Sequence, residues 1–298
     1  MKKEQGRMKN SNKMLGNLLL LITAVVWGFA FVAQSVAMDS VGPWTFVFSR
    51  FIIAGIVLIP VTRFSQKIYR NSDSEKEKKK PQAFGGMCCG ILLGLASMAQ
   101  QLGIMSTSVG KAGFITALYI ILVPIIGIFL GKKTSGRIWI SAVCSIVGLY
   151  LLSMQGSSFH IEKGDMMVML CALLFSFQIM SVDHFSVRMN PVVLANQQFF
   201  FAALVGFVGM LFFETPTMSS LMNAAVPILY AGICSSAVGY TLQVVGQRMT
   251  DPTVASLLMS MESVFSALAG WLILHQVLSG RELLGCCIMF AAVILAQL

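Results

Sequence analysis

Charged side chains are scarce in this chain. Aspartate, glutamate, lysine and arginine make up 11% of its 298 residues, whereas hydrophobic residues make up 56%. A soluble domain carries about 25% charged residues, because it must present a polar surface to water. The composition therefore excludes a soluble globular domain and predicts an integral membrane protein.

The sequence motifs of several enzyme classes are missing as well. No GxxxxGK[ST] phosphate-binding loop occurs, so nucleotide hydrolysis by this chain is not indicated. The seven cysteines form no CxxC pair and have no histidine at zinc-ligand spacing, so we expect no metal site and no cofactor. The three histidines, His160, His184 and His275, lie at or beyond predicted helix ends without an HExxH pattern. We therefore assign no catalytic residues and expect the chain not to be an enzyme.

The chain contains ten long apolar runs. Each is close to the roughly 20 residues that a helix needs to cross a bilayer. None shows the alternating pattern of a barrel strand, so helices are expected to satisfy the backbone in lipid. The runs are 15–36, 43–62, 84–106, 112–131, 137–155, 165–186, 192–213, 224–246, 253–275 and 281–298. We predict an all-α polytopic membrane protein with ten transmembrane helices.

The two halves of the chain resemble each other at an offset of 148 residues. Matching positions include Gly16 and Gly164, Pro43 and Pro191, and Phe51 and Phe199. Each half has five apolar runs, and because five is odd the second half must cross the membrane in the opposite sense. Inverted repeats of this kind enclose the substrate site of many secondary transporters. We therefore predict two inverted five-helix repeats.

Lysine and arginine are distributed unevenly between the loops. If the N-terminus lies inside the cell, 17 of them fall in inward-facing segments and three in outward-facing loops. This bias predicts a multi-pass protein of the cell membrane with both termini in the cytoplasm. We expect the lipid bilayer, and no nucleic acid, as a partner. The predicted segments are a basic cytoplasmic tail at 1–14, a first repeat at 15–155 with a cytoplasmic loop at 63–83, and a second repeat at 164–298.

Four of the apolar runs contain short motifs of small, aromatic and charged residues. They are AVVWGFAF at 24–31, Ser49-Arg50-Phe51, KAGFITALY at 111–119 followed by Val123-Pro124, and Ser260-Met261-Glu262 followed by Gly270-Trp271. In these motifs, and over nearly its whole length, the chain resembles the EamA-type transporters of the drug/metabolite transporter superfamily. The resemblance implies ten helices in two five-helix repeats and a transport activity.

The ninth run departs from the family pattern at two places. The family usually has proline after the ninth-run glutamate, whereas this chain has Ser263 after Glu262. We expect that helix to bend less there, because no backbone N–H is missing. The family's Gly-Glu near the end of the run is His275-Gln276 here, so the role of that second glutamate does not carry over.

Two ionisable residues fall deep within the predicted spans. A charge at the bilayer centre costs about 2.5–3.5 kcal/mol on insertion scales, so we expect such residues to have a functional or structural role. Arg50 could hold an anionic group of a substrate or pair with a carboxylate that sets the gating state, or it could form a structural ion pair. Glu262 lies in phase with Tyr119 or Ile120 of the opposite repeat. It could bind and release a proton, or bridge helices as a neutral acid.

Further candidate substrate-binding residues are amides and aromatics within the spans. Amides that face a cavity can bind polar groups of a substrate, and aromatic walls can hold its apolar part. The alternative for each is hydrogen bonding between helices. The complete set of candidates is Trp27, Arg50, Gln101, Tyr119, Gln178, Gln198, Tyr240, Gln243 and Glu262.

Small residues indicate how the helices could meet. Gly86, Gly90 and Gly94 recur every four residues in the third run and form one flat ridge for close helix contact. Such a ridge suits either a sliding surface or static packing.

These observations favour a secondary transporter. We expect an exporter of a small metabolite, an amino acid or a drug-like compound, working by alternating access to a central cavity. The alternatives are a membrane sensor or scaffold without transport activity, and a membrane-embedded enzyme. A small-molecule substrate is the expected partner, and a proton is the candidate coupling ion. Substrate, direction, coupling ion and oligomeric state stay open.

Overall fold

A computed structural model describes residues 2–70, 82–107, 109–132, 134–153, 163–274 and 279–297 of the chain. All regular secondary structure in these residues is helical. The elements are α1 (Lys2–Ala37), α2 (Pro43–Arg70), α3 (Gln82–Ile104), α4 (Val109–Thr116), α5 (Tyr119–Phe129), α6 (Gly136–Ser153), α7 (Lys163–Ser186), α8 (Pro191–Phe213), α9 (Met218–Asn223), α10 (Ala225–Leu229), a π-helix (Tyr230–Tyr240), α11 (Thr241–Gln247), α12 (Pro252–Met259), α13 (Glu262–Leu274) and α14 (Gly280–Gln297).

Eight segments of the described chain are helical, long and apolar enough to cross a membrane. They are Asn12–Ala37, Pro43–Lys67, Ala83–Ile104, Ala112–Phe129, Lys163–Ser186, Pro191–Phe213, Ala225–Gln247 and Pro252–Ile273. They match eight of the ten predicted runs and confirm a multi-pass, all-helical membrane protein. The fifth run corresponds to a shorter apolar helix, Gly136–Leu151, and the tenth to α14. The count of ten crossings stays a prediction.

The fourth and ninth spans are each broken near their middle. α4 gives way to α5 at Ala117 and Leu118, and α12 gives way to α13 at Ser260 and Met261. At the second break Met261 N donates to Leu258 O at 3.2 Å, a tighter turn than the α-helical pattern.

The ninth helix is thus interrupted without a proline, and the expectation that it bends less than in the family stays a prediction. Serine side chains supply a different cause. Ser256 Oγ donates to Thr253 O and Ser260 Oγ donates to Leu257 O, both at 2.8 Å. Hydroxyl groups that bond to the preceding turn compete with the helical N–H groups and bend helices.

The third helix of each half packs against the first helix of the other half. At the end of α3, Thr107 Oγ1 donates to Asp165 Oδ1 at 2.7 Å, near the start of α7. Just after α11, Thr250 Oγ1 donates to Asn17 Oδ1 of α1 at 3.1 Å. Asn17 and Asp165 are 148 residues apart, and Thr107 and Thr250 are 143 apart. The two hydrogen bonds are therefore equivalent contacts of two interlocked repeats.

Glycines bring the same helices together beside these hydrogen bonds. A Cβ on Gly164 would lie 2.9 Å from the carbonyl oxygen of Gly103, and one on Gly16 would lie 3.0 Å from that of Gly246. A side chain at either position would push the helices apart.

The predicted glycine ridge of α3 is confirmed as a close helix contact. Its three glycines lie against α8, where an added Cβ would meet Gln197 at Gly86, Gln198 and Phe201 at Gly90, and Val205 at Gly94. The helix backbones can approach this closely because the glycines have no side chain.

The long helices α2 and α8 run antiparallel and are joined at one end by Glu214. Its carboxylate follows the last residue of α8 and accepts hydrogen bonds from Trp44 N (2.9 Å), Thr45 N (2.7 Å) and Thr45 Oγ1 (2.7 Å), in the first turn of α2. An anion at a helix N-terminus satisfies N–H groups that lack helical partners. Gly42 permits the approach, because a Cβ there would collide with the carboxylate.

The opposite end of the same helix pair is joined by Asn190. Its Oδ1 accepts from Val192 N at 2.9 Å and so caps α8. Its Nδ2 donates to Ser65 Oγ of α2 at 2.9 Å. The α2–α8 pair is thus fixed by a helix cap at each end.

Replacing Glu214 by alanine is expected to destabilise the fold by about 1–2 kcal/mol, because the first turn of α2 loses a charged cap. Thermal unfolding of the purified protein in detergent, followed by circular dichroism, measures the change. Thr217→Ala is the control, since Thr217 is exposed and caps only the six-residue α9. An unfolding midpoint for Glu214→Ala no lower than that of the control contradicts the assignment.

Candidate functional site

A small cavity lies between the helices of the two halves. Its free volume is about 30 Å³, room for about two water molecules. Both halves of the chain contribute to its wall, which is formed by Trp27, Ala30, Phe31, Gln34, Arg50, Gln100, Thr116, Tyr119, Phe175, Ile179, Ser235, Tyr240, Gln243, Met259 and Glu262. Six of the nine candidates from the sequence lie in this wall, namely Trp27, Arg50, Tyr119, Tyr240, Gln243 and Glu262.

Arg50 is held by neutral hydrogen-bond acceptors. Its side chain, on α2, is 2% exposed. Nε donates to Ser236 Oγ at 3.1 Å, Nη2 to Ser235 Oγ at 3.1 Å and Nη1 to Gln34 Oε1 at 3.3 Å. The guanidinium carbon also lies 5.0 Å from the centre of the Phe51 ring, in range of a cation–π interaction.

The charge of Arg50 has no counter-ion in the described part of the chain, where no carboxylate forms an ion pair with it. A guanidinium has five N–H groups, and its hydrogen bonds to the described residues use three of them. Hydroxyl and amide oxygens stabilise a buried cation less than a carboxylate does. The site can therefore accept an anionic group.

The π-helix explains how two consecutive serines reach the same side chain. Consecutive residues of an α-helix point about 100° apart, and the wider turn of a π-helix reduces that angle. Ser235 and Ser236 can then both face Arg50. The carbonyl oxygen of Ser235 also accepts from Trp27 Nε1 at 3.1 Å. Segments of π-helix are frequent at functional sites.

Tyr119 and Glu262 join the two broken helices across the cavity. Tyr119 is the first residue of α5 and Glu262 the first residue of α13. The hydroxyl of Tyr119 donates to Glu262 Oε1 at 3.0 Å. The two residues are 143 positions apart, the same offset as between the threonines of the equivalent contacts. Tyr119, one of the two residues in phase with Glu262 in the opposite repeat, thus also contacts it, which the sequence did not predict.

Aromatic rings form one wall of the cavity. The Trp27 and Tyr240 rings lie 4.5 Å apart, and Tyr240 also contacts Phe51 at 6.1 Å and Phe199 at 6.3 Å. Phe51 and Phe199 are the pair that first indicated the repeat, and their rings stack at 6.2 Å. This wall suits an apolar part of a ligand.

The other three candidates lie outside the cavity wall. Gln243 Nε2 donates to Gln178 Oε1 at 3.2 Å, and Gln178 Nε2 donates to Gln198 Oε1 at 3.3 Å, so two of them continue a chain of amides behind the cavity. Gln101 is fully buried, and neither atom of its amide has a partner among the described residues. A buried polar group without a partner costs about 1–3 kcal/mol.

The candidate set omitted several residues of the site. Gln34 and Gln100 belong to the same group of buried amides, so a signal for them existed. Ser235 and Ser236 were indicated only as two adjacent hydroxyls in an apolar run, because nothing in the sequence indicated the π-helix that turns both toward Arg50.

Comparison with known proteins places this chain in a family. The model of the EamA-like transporter family matches residues 14–154 and again 162–298. An uncharacterized transporter of Archaeoglobus fulgidus is 29% identical over 297 residues, which cover 99% of this chain and 90% of that protein. A protein of known crystal structure with 17% identity superimposes with a TM-score of 0.77 over 95% of this chain and 98% of its own. That last likeness concerns the fold alone.

Replacing Tyr119 by phenylalanine is expected to lower the free energy of unfolding by about 1–3 kcal/mol, because the Glu262 carboxyl loses its hydrogen bond in a buried site. Thermal unfolding in detergent measures the change. Tyr150→Phe removes the same hydroxyl from a side chain that is 44% exposed and serves as the control. Equal midpoints for the two variants would show that the Tyr119–Glu262 bond does not stabilise the fold.

Proposed function

Since the chain belongs to the EamA-like transporter family, we propose that it is a secondary transporter that exports a small organic solute by alternating access. The solute is a metabolite, an amino acid or a drug-like compound with an anionic group. The observation that carries this proposal is the central cavity, which holds an arginine without a counter-ion beside a hydrogen bond between two broken helices.

We propose ten crossings in two inverted repeats. The end contacts support a crossing by α6, which lacks the length of the other spans. Lys132, before α6, pairs with Asp183 near the end of α7. Asp165, at the start of α7, contacts Thr107 on the other side of the bundle. The segment that contains α6 therefore connects opposite ends of α7. At the far end of α6, Arg281 of α14 lies 5.2 Å from the Tyr150 ring.

The loop charges support an orientation in the cell membrane with both termini in the cytoplasm. Seventeen of the 21 lysines and arginines fall on the side of the N-terminus. Lys132 and Asp183 lie on that cytoplasmic side, and Glu214 lies on the outer side. Each side is thus closed by contacts that involve a charged residue.

Arg50 binds the anionic group of the substrate in this mechanism. The N–H groups that are not used in the three hydrogen bonds to described residues supply the contacts to that group, and the aromatic wall around Tyr240 receives the apolar part of the solute. A cavity of about 30 Å³ is too small for such a solute. The present structure is therefore a closed state, and the two repeats must separate before the substrate enters.

Glu262 is the proposed proton-binding group. Protonation neutralises a carboxyl group that otherwise carries a charge in the interior of the bundle. It also alters the hydrogen bond that joins the two helix breaks. A proton that binds from one side and leaves to the other would then couple its gradient to the separation of α5 and α13.

Glu262→Gln and Arg50→Ala are expected to reduce substrate flux by at least about tenfold, since an essential contact is worth more than about 1.4 kcal/mol. Flux is measured in proteoliposomes that take up a defined mixture of amino acids and organic acids, with mass-spectrometric detection. Thr217→Ala is the control, because Thr217 is exposed and lies outside the cavity wall. If either cavity variant is expressed normally and transports at the wild-type rate, the proposed role of that residue is wrong.

Proton coupling makes a separate prediction for Glu262. An imposed pH gradient should drive uphill substrate accumulation by the wild type, and a protonophore should abolish it. Glu262→Gln cannot bind the proton and should accumulate nothing, whether or not a gradient is present. Tyr119→Phe retains the carboxyl group and should still respond to the gradient. Accumulation that is insensitive to the protonophore excludes the proton as coupling ion.

A further inference from the structure

Four glutamines form a continuous polar seam that starts at the cavity. Gln178 lies on α7, Gln198 on α8, and Gln243 and Gln247 on α11, and none is more than 1% exposed. The first three form the chain of amides described above. Gln247 Nε2 donates to the backbone carbonyl of Ile179 on α7 at 3.2 Å, which brings the seam one helical turn nearer the cytoplasmic loops. We call these four residues the glutamine seam.

The seam is incompletely hydrogen-bonded in the closed state. Gln198 Nε2, Gln243 Oε1 and Gln247 Oε1 have no partner among the described residues. Ser186 Oγ, the last residue of α7 on the same side of the bundle, has none there either, although it is fully buried. Buried polar atoms without a hydrogen-bond partner are lower in free energy when water can bind to them.

The contacts across the seam differ from those elsewhere in the bundle. Glycines bring α3 against the backbone of α8, so those helices cannot part without losing close packing. Across the seam, long amide side chains span the space between α7, α8 and α11. Amide side chains can rotate and replace a hydrogen bond within the protein by one to water. The contact across the seam is therefore weaker than the contact between α3 and α8.

The position of the seam connects the cavity to one side of the membrane. Gln243 lines the cavity. Gln247 is the last residue of α11, and Ser186 is the last residue of α7. We propose that the glutamine seam, together with Ser186, is the route by which the substrate reaches the cavity from the cytoplasm. This inference rests on the proposed transport function and orientation.

The chemistry of the seam suits an entry route for polar solutes. Its walls carry hydrogen-bond donors and acceptors but no charge. The position in the second repeat that corresponds to Arg50 is Gln198, at the offset of 148 residues. Along the seam itself a solute passes neutral side chains before it reaches the positive charge of Arg50 in the cavity.

Cysteine accessibility tests the route without knowledge of the substrate. Gln247→Cys and Ser186→Cys are made in the full chain and exposed in inside-out vesicles to the membrane-impermeant cation MTSET, which forms a mixed disulfide with an accessible thiol. Opening of even a minor state should make both variants react at least about tenfold faster than a cysteine that stays buried. Unmodified protein gives the background from the seven native cysteines.

Val244→Cys is the matched control, since Val244 lies on the same helix, is fully buried and is not among the residues that line the cavity. Faster labelling of both test positions from the cytoplasmic side supports the route. Labelling no faster than Val244→Cys, or labelling only in right-side-out vesicles, overturns it. Ser186→Cys changes one oxygen to sulfur, so it keeps the test valid if Gln247→Cys misfolds.

Flux by the same variants is measured in parallel. Flux without labelling contradicts the proposed route alone, whereas a wild type without flux contradicts the proposed transport function.

Discussion

The burial of Arg50 constrains much of the surrounding structure. A cation in an apolar bundle needs acceptors for its N–H groups. Here two serine hydroxyls and the Gln34 amide oxygen accept three of the five, and both serines lie on the π-helix. The π-helix must also lie close to α2, which Gly232 permits, since a Cβ there would lie 3.2 Å from the carbonyl oxygen of Arg50. One buried charge thus fixes a helix type, a helix contact and one wall of the cavity.

The two repeats share a scaffold but differ in chemistry at equivalent positions. Asn17 and Asp165 make the same hydrogen bond to a threonine, so the scaffold contacts are matched. At the cavity, equivalent positions of the two repeats carry different residues. Tyr119 corresponds to Glu262, and Arg50 corresponds to Gln198. In the proposed transport cycle, the symmetric scaffold supplies two states, and the asymmetric side chains give those states different affinities for a solute or a proton.

Sequence reasoning found what depends on periodicity and failed where side chains redirect the backbone. The eight spans and the glycine ridge of α3 followed from spacing, because helical geometry fixes which residues share a face. The break at Ser260 did not, since its cause is hydroxyls that compete with helical hydrogen bonds. Gln101 resembled the other amides in sequence, yet its exact depth and rotation place it outside the cavity wall. Those quantities depend on tertiary packing rather than on residue type.

In the proposed transport cycle, opening of the small cavity must break hydrogen bonds between the two repeats. The hydrogen bonds around it belong to both repeats: Tyr119 to Glu262, Arg50 to the two serines, and Thr107 to Asp165 farther out. Separating the repeats about the cavity breaks the first of these, whereas the glycine contacts of α3 keep their close packing only if α3 moves with α8. The breaks in the fourth and ninth spans supply the compliance for such a motion, because a helix that is already interrupted bends without losing further hydrogen bonds. In the proposed cycle, the carboxyl group at the junction of those breaks is the group through which a proton alters the relative stability of the two states.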